Sequence, residues 1–180
     1  SAEDMVITDA ILRRKLGIGI FTLDTGRLHA DTLNILSAIR ERYGYEVQVF
    51  PPDPAAVAEY VASFGRDAFY ESVDLRKRCC HIRKVEPLER ALRGKEAWIT
   101  GQRREQAATR AGLKIQEYDE ARAIVKFNPL ADWSEAEVWH YIRARDVPYN
   151  ALHDQGYRSI GCAPCTRPTV AGEAGRAGRW

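Results

Sequence analysis

Four cysteines constrain this chain more than any other feature, because they form two tight pairs and none is left over. Cys79 and Cys80 are adjacent, and Cys162 and Cys165 form a Cys-x-x-Cys motif far along the chain. Only a fold that brings distant segments together can join the pairs. Four converging thiolates predict a metal site, either a zinc ion or a [4Fe–4S] cluster. If all four bind metal, no cysteine of this segment remains for nucleophilic chemistry.

The alternatives to a metal site are two disulfides, a redox-active Cys-x-x-Cys or inert thiols. The chain shows no signal-peptide pattern and no apolar run approaching ~18 residues, so we expect no membrane contact. We expect a cytoplasmic protein, in which thiols stay reduced. Adjacent side chains on a helix diverge by about 100°, which suits a single tetrahedral zinc ion poorly. A cluster offers each sulfur its own iron, so the pattern favours [4Fe–4S].

Positive charge is unevenly placed although the net charge is only +2. The small net charge does not indicate a nucleic-acid partner. Basic residues near bound thiolates would offset cluster charge and attract an anionic ligand. The basic residues fall into three groups. The first surrounds Cys79 and Cys80 and consists of Arg76, Lys77, Arg78, Arg83 and Lys84. The second consists of Arg103, Arg104 and Arg110, and the third, which follows the Cys-x-x-Cys motif, of Arg167, Arg176 and Arg179.

The alternation of elements predicts the fold class. Apolar runs predict strands at 18–23, 46–50 and 97–100, and apolar periodicity predicts helices at 2–16, 29–43, 55–64 and 75–92. Two short strands at 114–120 and 123–128 follow, then a helix at 134–145 that begins with a capping box. This order predicts a single α/β domain over residues 1–180, with a doubly wound, mostly parallel sheet and helices on both faces.

Ligands of such folds bind beyond the carboxyl ends of the strands. Two glycine-bearing segments directly follow predicted strands, and both should lie at that edge: Asp24-Thr25-Gly26-Arg27 and Gly101-Gln102-Arg103-Arg104. Helix N-termini and arginines at the same edge would suit a nucleotide phosphate. The sequence therefore predicts a nucleotide site there.

With these segments in place, the chain resembles the assimilatory adenylyl-sulfate (APS) reductases, the [4Fe–4S] branch of the APS/PAPS reductase family. The resemblance covers essentially the whole chain and implies the adenine nucleotide alpha-hydrolase-like fold. The segments that carry it are Leu23-Asp24-Thr25-Gly26-Arg27-Leu28, Cys79-Cys80-His81-Ile82-Arg83-Lys84, Thr100-Gly101-Gln102-Arg103-Arg104, Lys126-Phe127-Asn128-Pro129-Leu130, Pro148-Tyr149-Asn150, Leu152-His153, Gly156-Tyr157, Ile160-Gly161-Cys162 and Pro164-Cys165-Thr166-Arg167.

The resemblance implies a reaction in sulfate assimilation and cysteine biosynthesis. Adenosine 5′-phosphosulfate is reduced to sulfite and AMP, with thioredoxin as the electron donor and an S-sulfocysteine intermediate. We also expect a homo-oligomer and no nucleic-acid partner. The family's nucleophilic cysteine lies in a C-terminal Glu-Cys-Gly-Leu-His tail beyond Trp180, so we expect no catalytic cysteine within these residues. The phosphate-loop strand that precedes Glu3 in the family is incomplete here.

The resemblance also assigns site residues. Cys79, Cys80, Cys162 and Cys165 bind the cluster, and Lys84 lies near both cluster and substrate in a supporting catalytic role. The implied substrate contacts are Leu23, Thr25, Gly26, Lys84, Gly101, Arg110, Arg176, Arg179 and Trp180. For Arg103 and Arg104, structural salt bridges are at least as well supported as substrate contact, and Asp24 either contacts ligand or caps its loop. His29, His81 and His153 are interpreted as structural.

Three other functions fit parts of the pattern. A reductase of the 3′-phosphorylated substrate (PAPS) shares the fold, but such relatives typically lack these cysteines. A zinc-stabilised nucleotide- or RNA-binding module would be colourless and would bind nucleic acid in a salt-sensitive way. A simple electron-transfer protein is disfavoured by the nucleotide-type fold.

Overall fold

A computed structural model describes residues 1–180. The chain divides into two compact units. The large unit comprises Ser1–Ile20, His29–Val47 and Lys95–Trp180, and the small unit comprises Phe21–Leu28 and Gln48–Gly94. The single domain expected over residues 1–180 stays a prediction. None of the helices combines the length and the apolar composition that a membrane span requires.

Six α-helices and five strands make up the regular structure. The helices are α1 (Ala2–Arg13), α2 (Ala30–Tyr43), α3 (Pro54–Phe64), α4 (Val73–Cys80), α5 (Glu86–Leu92) and α6 (Glu135–Arg145). The strands are β1 (Phe21–Leu23), β2 (Gln48–Phe50), β3 (Ala97–Ile99), β4 (Gln116–Asp119) and β5 (Ile124–Phe127).

The strands pair in two groups. In the small unit, β1 and β2 are parallel, with Phe21 opposite Gln48. In the large unit, β5 lies between β3 and β4, parallel to β3 and antiparallel to β4. The β4–β5 pair is the predicted pair of short strands. Parallel strands combined with helices confirm the predicted α/β class.

Two predicted boundaries differ from the structure for local reasons. The first strand begins at Phe21 rather than residue 18, because the Ile20 amide donates to the Tyr45 hydroxyl at 3.0 Å instead of to a neighbouring strand. The helix predicted at 75–92 is three segments: α4, a π-helical turn at His81–Val85, and α5. Pro87 in the first turn of α5 has no amide hydrogen to donate, which interrupts the regular pattern.

The core of the large unit holds α1, α2 and α6 together. Apolar side chains from these helices and the adjacent loops form one buried cluster: Ala2, Met5, Val6, Ile39, Val47, Leu130, Val138, Ile142 and Val147. Asp9 is buried among them, and its carboxylate accepts hydrogen bonds from the hydroxyls of Tyr43 and Tyr141 at 2.9 and 2.7 Å. The predicted capping box of α6 is confirmed between Ser134 and Glu137. These contacts fix the first turns of α1 and α6, which border the cavity described next.

Candidate functional site

The large unit contains a cavity of about 590 Å³ beyond the carboxyl end of β3. This volume lies within the range of small-molecule sites. The first turns of α1 and α6, the segment that follows β3, and the C-terminal segment form its walls. Its charged lining residues are Glu3, Asp4, Arg103, Glu105, Arg110, Glu135, Arg158, Arg176 and Arg179. The position matches the strand edge at which the sequence predicts a ligand.

Four of the predicted substrate contacts line this cavity: Gly101, Arg110, Arg176 and Arg179. Trp180 does not line it. The Trp180 side chain is 49% exposed, and its amide donates to the Cys165 carbonyl at 3.1 Å.

Several lining residues were not predicted as site residues, among them Trp139, His153 and Arg158. Arg158 lies between two of the segments that carry the family resemblance, and that position could have indicated it.

Two arginines of the cavity, Arg110 and Arg176, repel each other. Burial and the nearby charge of Arg176 lower the pKa of Arg110, whose guanidinium is hydrogen-bonded to the neutral Gln106 amide. Arg158 is different, because it forms an ion pair with Glu135 at 2.5 Å. An anion between Arg110 and Arg176 would relieve their repulsion.

Arg179 is held over the backbone of residues 159–161. Its guanidinium donates to the Ile160 carbonyl at 2.5 Å and to the Ser159 hydroxyl at 3.4 Å. A Cβ atom on Gly161 would lie 2.5 Å from the Arg179 Cζ atom, so only glycine allows this close approach. The guanidinium position therefore depends on Gly161.

The segment after β3 is fixed to α1. The Arg103 Nε donates to Glu3 Oε1 at 3.0 Å, and the two side chains are only 5% and 10% exposed. A Cβ on Gly101 would lie 2.9 Å from the Glu3 Cβ, so this glycine permits close packing against α1. Arg104 pairs with Asp132. Arg103 and Arg104 thus form the ion pairs expected for a structural role, and Arg103 also lines the cavity.

The other predicted substrate contacts lie in the small unit. Leu23 ends β1, and Thr25 in the following turn is buried, with its carbonyl accepting from Arg83 Nη1 at 2.7 Å. Gly26 has φ of +67°, and its amide donates to Asp24 Oδ1 at 2.8 Å, so Asp24 caps this loop. Lys84 lies in the π-helical turn and is half-buried.

The two cysteine pairs lie in different units. Cys79 and Cys80 end α4 in the small unit. In the large unit, Cys162 and Cys165 flank a tight turn in which the Cys165 amide donates to the Cys162 carbonyl at 3.0 Å. Neither unit by itself gathers three or more His, Cys, Asp or Glu side chains that could hold a metal ion. The four-cysteine site therefore stays a prediction.

Two histidines, His29 and His153, make local packing contacts. His153 lies edge-on to Trp139 with ring centroids 5.2 Å apart, and His29 packs similarly against Tyr157. Burial lowers the pKa of His153. These contacts agree with the structural interpretation of His29 and His153.

Comparisons with known proteins give one consistent result. Residues 1–168 match the family model of the phosphoadenosine phosphosulfate reductase domain. The chain is 63% identical over 180 residues to an adenosine 5′-phosphosulfate reductase of Burkholderia cepacia, covering 100% of this chain and 72% of the relative. It is 56% identical over 179 residues to the enzyme of the same name from Allochromatium vinosum, covering 99% and 70%.

Among solved structures, the chain is similar to a phosphoadenylyl-sulfate (PAPS) reductase from Candida auris in complex with phosphate. The TM-score is 0.77 at 30% sequence identity, covering 91% of this chain and 78% of that one. A Candida glabrata FMN adenylyltransferase in complex with FAD and pyrophosphate is similar with a TM-score of 0.53 at 17% identity, which shows a likeness of fold alone.

Proposed function

The chain belongs to the phosphoadenosine phosphosulfate reductase domain family, and we propose that it reduces adenosine 5′-phosphosulfate (APS) to sulfite and AMP. The observation that carries this proposal is the cavity beyond β3, where Arg110, Arg176 and Arg179 lie together. APS carries a phosphate and a sulfate joined through one oxygen, so it needs several cations in one site. The enzyme is an oxidoreductase of sulfate assimilation that acts on a sulfur group, in keeping with the two relatives named adenosine 5′-phosphosulfate reductase.

The arginines supply the electrostatic part of the reaction. A cysteine thiolate attacks the sulfate sulfur, the S–O bond to AMP breaks, and AMP leaves with the electron pair of that bond. Negative charge then accumulates on the leaving phosphate. Arg110, Arg176 and Arg179 stabilise that charge in a site whose donors are already in place. Gly101 serves this site by letting the segment after β3 approach α1 closely.

The remaining predicted contacts belong to the proposal as well. Leu23, Thr25 and Gly26 contact the substrate from the loop after β1, and Lys84 contacts the sulfate group. The buried Thr25 and the Arg83 hydrogen bond to its carbonyl support a rigid loop there. Trp180 covers the substrate. Its side chain is exposed and is therefore accessible to a ligand.

Cys79, Cys80, Cys162 and Cys165 hold a [4Fe–4S] cluster in this proposal. Their chemistry fits, because each pair presents two thiols from one short segment and Fe–S clusters are bound by four cysteine thiolates. When bound, the cluster supplies an electrostatic and structural effect rather than electrons for the sulfur. Lys84 follows the first pair by only four residues, and its charge offsets the charge of the thiolates.

The nucleophile is proposed to be a cysteine outside residues 1–180, since all four thiols of this segment are assigned. Its S-sulfocysteine is reduced by thioredoxin. The two thiols of thioredoxin become a disulfide, and sulfite leaves with the two electrons. Cytoplasmic location and a homo-oligomeric state complete the proposal, which involves no nucleic acid.

The test is a comparison of APS, PAPS and AMP binding to anaerobically purified protein by calorimetry. We expect APS and AMP to bind, and PAPS to bind at least tenfold more weakly. PAPS binding as tight as APS binding would favour the second candidate, a PAPS reductase, which the similarity to the Candida auris structure supports. Failure of all three nucleotides to bind would overturn the proposed function.

A further inference from the structure

We propose that Gln106 is a positioning residue that holds the Arg110 guanidinium at the cavity without neutralising its charge. Gln106 ends one 3₁₀ turn and Arg110 ends the next, and both residues line the cavity. This role rests on the proposed function, because it concerns how the anionic substrate is received.

The Gln106 amide is fully used by hydrogen bonds. Its Oε1 accepts from Arg110 Nη1 and from the Arg103 backbone amide, the latter at 3.1 Å. Its Nε2 donates to Glu3 Oε1 at 2.9 Å and to the Gly101 carbonyl at 3.5 Å. Two acceptor positions and two donors are all that a glutamine side chain possesses. The side chain is therefore fixed at both ends.

The orientation of this amide is determined by its neighbours. A guanidinium and a backbone amide only donate, so they require the oxygen of Gln106. A carboxylate and a carbonyl only accept, so they require the nitrogen. The reverse orientation would place donor against donor and acceptor against acceptor. Of the common side chains, an amide of this length is the one that meets both requirements.

The neutrality of Gln106 matters for Arg110. Burial and the charge of Arg176 both oppose a cation at this position, and the Gln106 oxygen offsets part of that cost by accepting a hydrogen bond from Arg110 Nη1. A carboxylate would hold Arg110 more strongly but would cancel the charge that an anionic substrate needs. The Glu3 carboxylate, whose charge favours the Arg110 cation, is itself paired with Arg103. Gln106 thus links Arg110 to that buried pair without giving Arg110 a carboxylate partner of its own.

A double-mutant cycle tests the role directly. AMP binding is measured by calorimetry on the anaerobically purified protein and on Gln106→Ala, Arg110→Ala and the double variant. We expect Gln106→Ala to weaken AMP binding about tenfold, since hydrogen bonds to charged groups are strong. In the Arg110→Ala background the same substitution should change binding less than twofold. A purely structural role would give the same factor in both backgrounds and would overturn the proposal.

A second variant and a control complete the design. Gln106→Glu keeps an acceptor for Arg110 but adds a negative charge beside Glu3, so AMP binding should also fall about tenfold. Unchanged binding in Gln106→Glu would overturn the requirement for a neutral partner. Gln155→Ala removes an exposed amide outside the cavity and should bind AMP like the parent. If the parent itself binds no AMP, the proposed function fails, and this role fails with it.

Discussion

Arg179 shows how a single glycine can set the position of a charge. Because a Cβ on Gly161 would lie 2.5 Å from Arg179 Cζ, Gly161→Ala must displace the guanidinium from the Ile160 carbonyl. The displaced group is the end of a flexible side chain, so we expect little loss of stability. APS binding should weaken about tenfold, the loss expected for one charge-assisted hydrogen bond.

The measurement is APS affinity together with the melting temperature. Gly112→Ala is the matched control, because a Cβ there has no neighbour within 4 Å. An unchanged affinity for Gly161→Ala would show that Arg179 does not contact the ligand from its present position.

At the residue scale, the charged contacts were the predictable part. The family resemblance implies Arg110, Arg176 and Arg179 as substrate contacts, and the structure brings all three to one cavity. Gln106 was not predicted, because an amide carries no charge and its function depends on Glu3, which is distant in sequence. Sequence patterns therefore indicate the charged residues that could bind a ligand, but they do not readily indicate the neutral residues that position those charged side chains.

The buried Glu3–Arg103 pair joins α1 to the segment after β3. Burial opposes ionisation of Glu3, but hydrogen bonds from its own backbone amide, Gln106 and Arg103 together lower the pKa of Glu3 below 4.5. Glu3→Ala would remove the buried partner of Arg103 and leave only the exposed Glu105 to offset its charge, so we expect a loss of about 3 kcal/mol in the free energy of unfolding. Urea unfolding of the parent and of Glu3→Ala near pH 7 measures this loss.

The contribution of Glu3 to the free energy of unfolding should depend on pH in a defined direction. The pKa of Glu3 is lower in the folded protein than in the unfolded chain, so its contribution is present above pH 4.5 and is lost as the pH falls below that value. The difference between Glu3→Ala and the parent should therefore shrink on acidification. Glu105→Ala is the control, since Glu105 is the 58%-exposed partner of the same arginine and should cost only about 1 kcal/mol. Equal losses for both variants would contradict this account.

The C-terminal segment that carries Arg176 and Arg179 is closed by a surface ion pair. The Arg167 guanidinium donates to both carboxylate oxygens of Glu173, at 2.9 and 2.8 Å, and the Val170 amide donates to Glu173 at 3.0 Å. Because exposed pairs add little to global stability, Glu173→Gln should leave the melting temperature nearly unchanged. Amide exchange across residues 167–178 should become faster at neutral pH.

The Arg167–Glu173 ion pair also predicts how amide exchange in this segment responds to acid. The Arg167 hydrogen bonds lower the pKa of Glu173 to about 2, so the carboxylate stays ionised well below the usual 4.5. The local protection it provides is present above pH 4.5 and is lost only as the pH falls toward about 2. At about pH 4 the parent should keep its slower exchange relative to Glu173→Gln. Equal exchange in the two proteins at that pH would contradict the lowered pKa.

At the scale of the whole molecule, the class of fold followed from the sequence and the division into units did not. Alternating apolar runs and helical periodicity predicted α/β structure, and paired strands such as β3 and β5 confirm it. The π-helical turn between α4 and α5 was missed, because apolar periodicity continues through it and only Pro87 marks the interruption. The small unit is assembled from Phe21–Leu28 and Gln48–Gly94, and no local composition change marks those boundaries.

The proposed cluster draws one cysteine pair from each unit, and metal analysis tests whether the two pairs bind one cluster. Anaerobically purified protein should contain about four irons and four acid-labile sulfides per chain and should be brown. Cys80→Ser and Cys162→Ser change one thiol in each unit, and each should lower the iron content, because a cluster held by four thiolates needs both pairs. Ser37→Ala, an exposed change on α2, should leave it unaltered. One tightly bound zinc and no sulfide would contradict the cluster. An effect of only one of the two cysteine substitutions would show that the pairs do not share a single site.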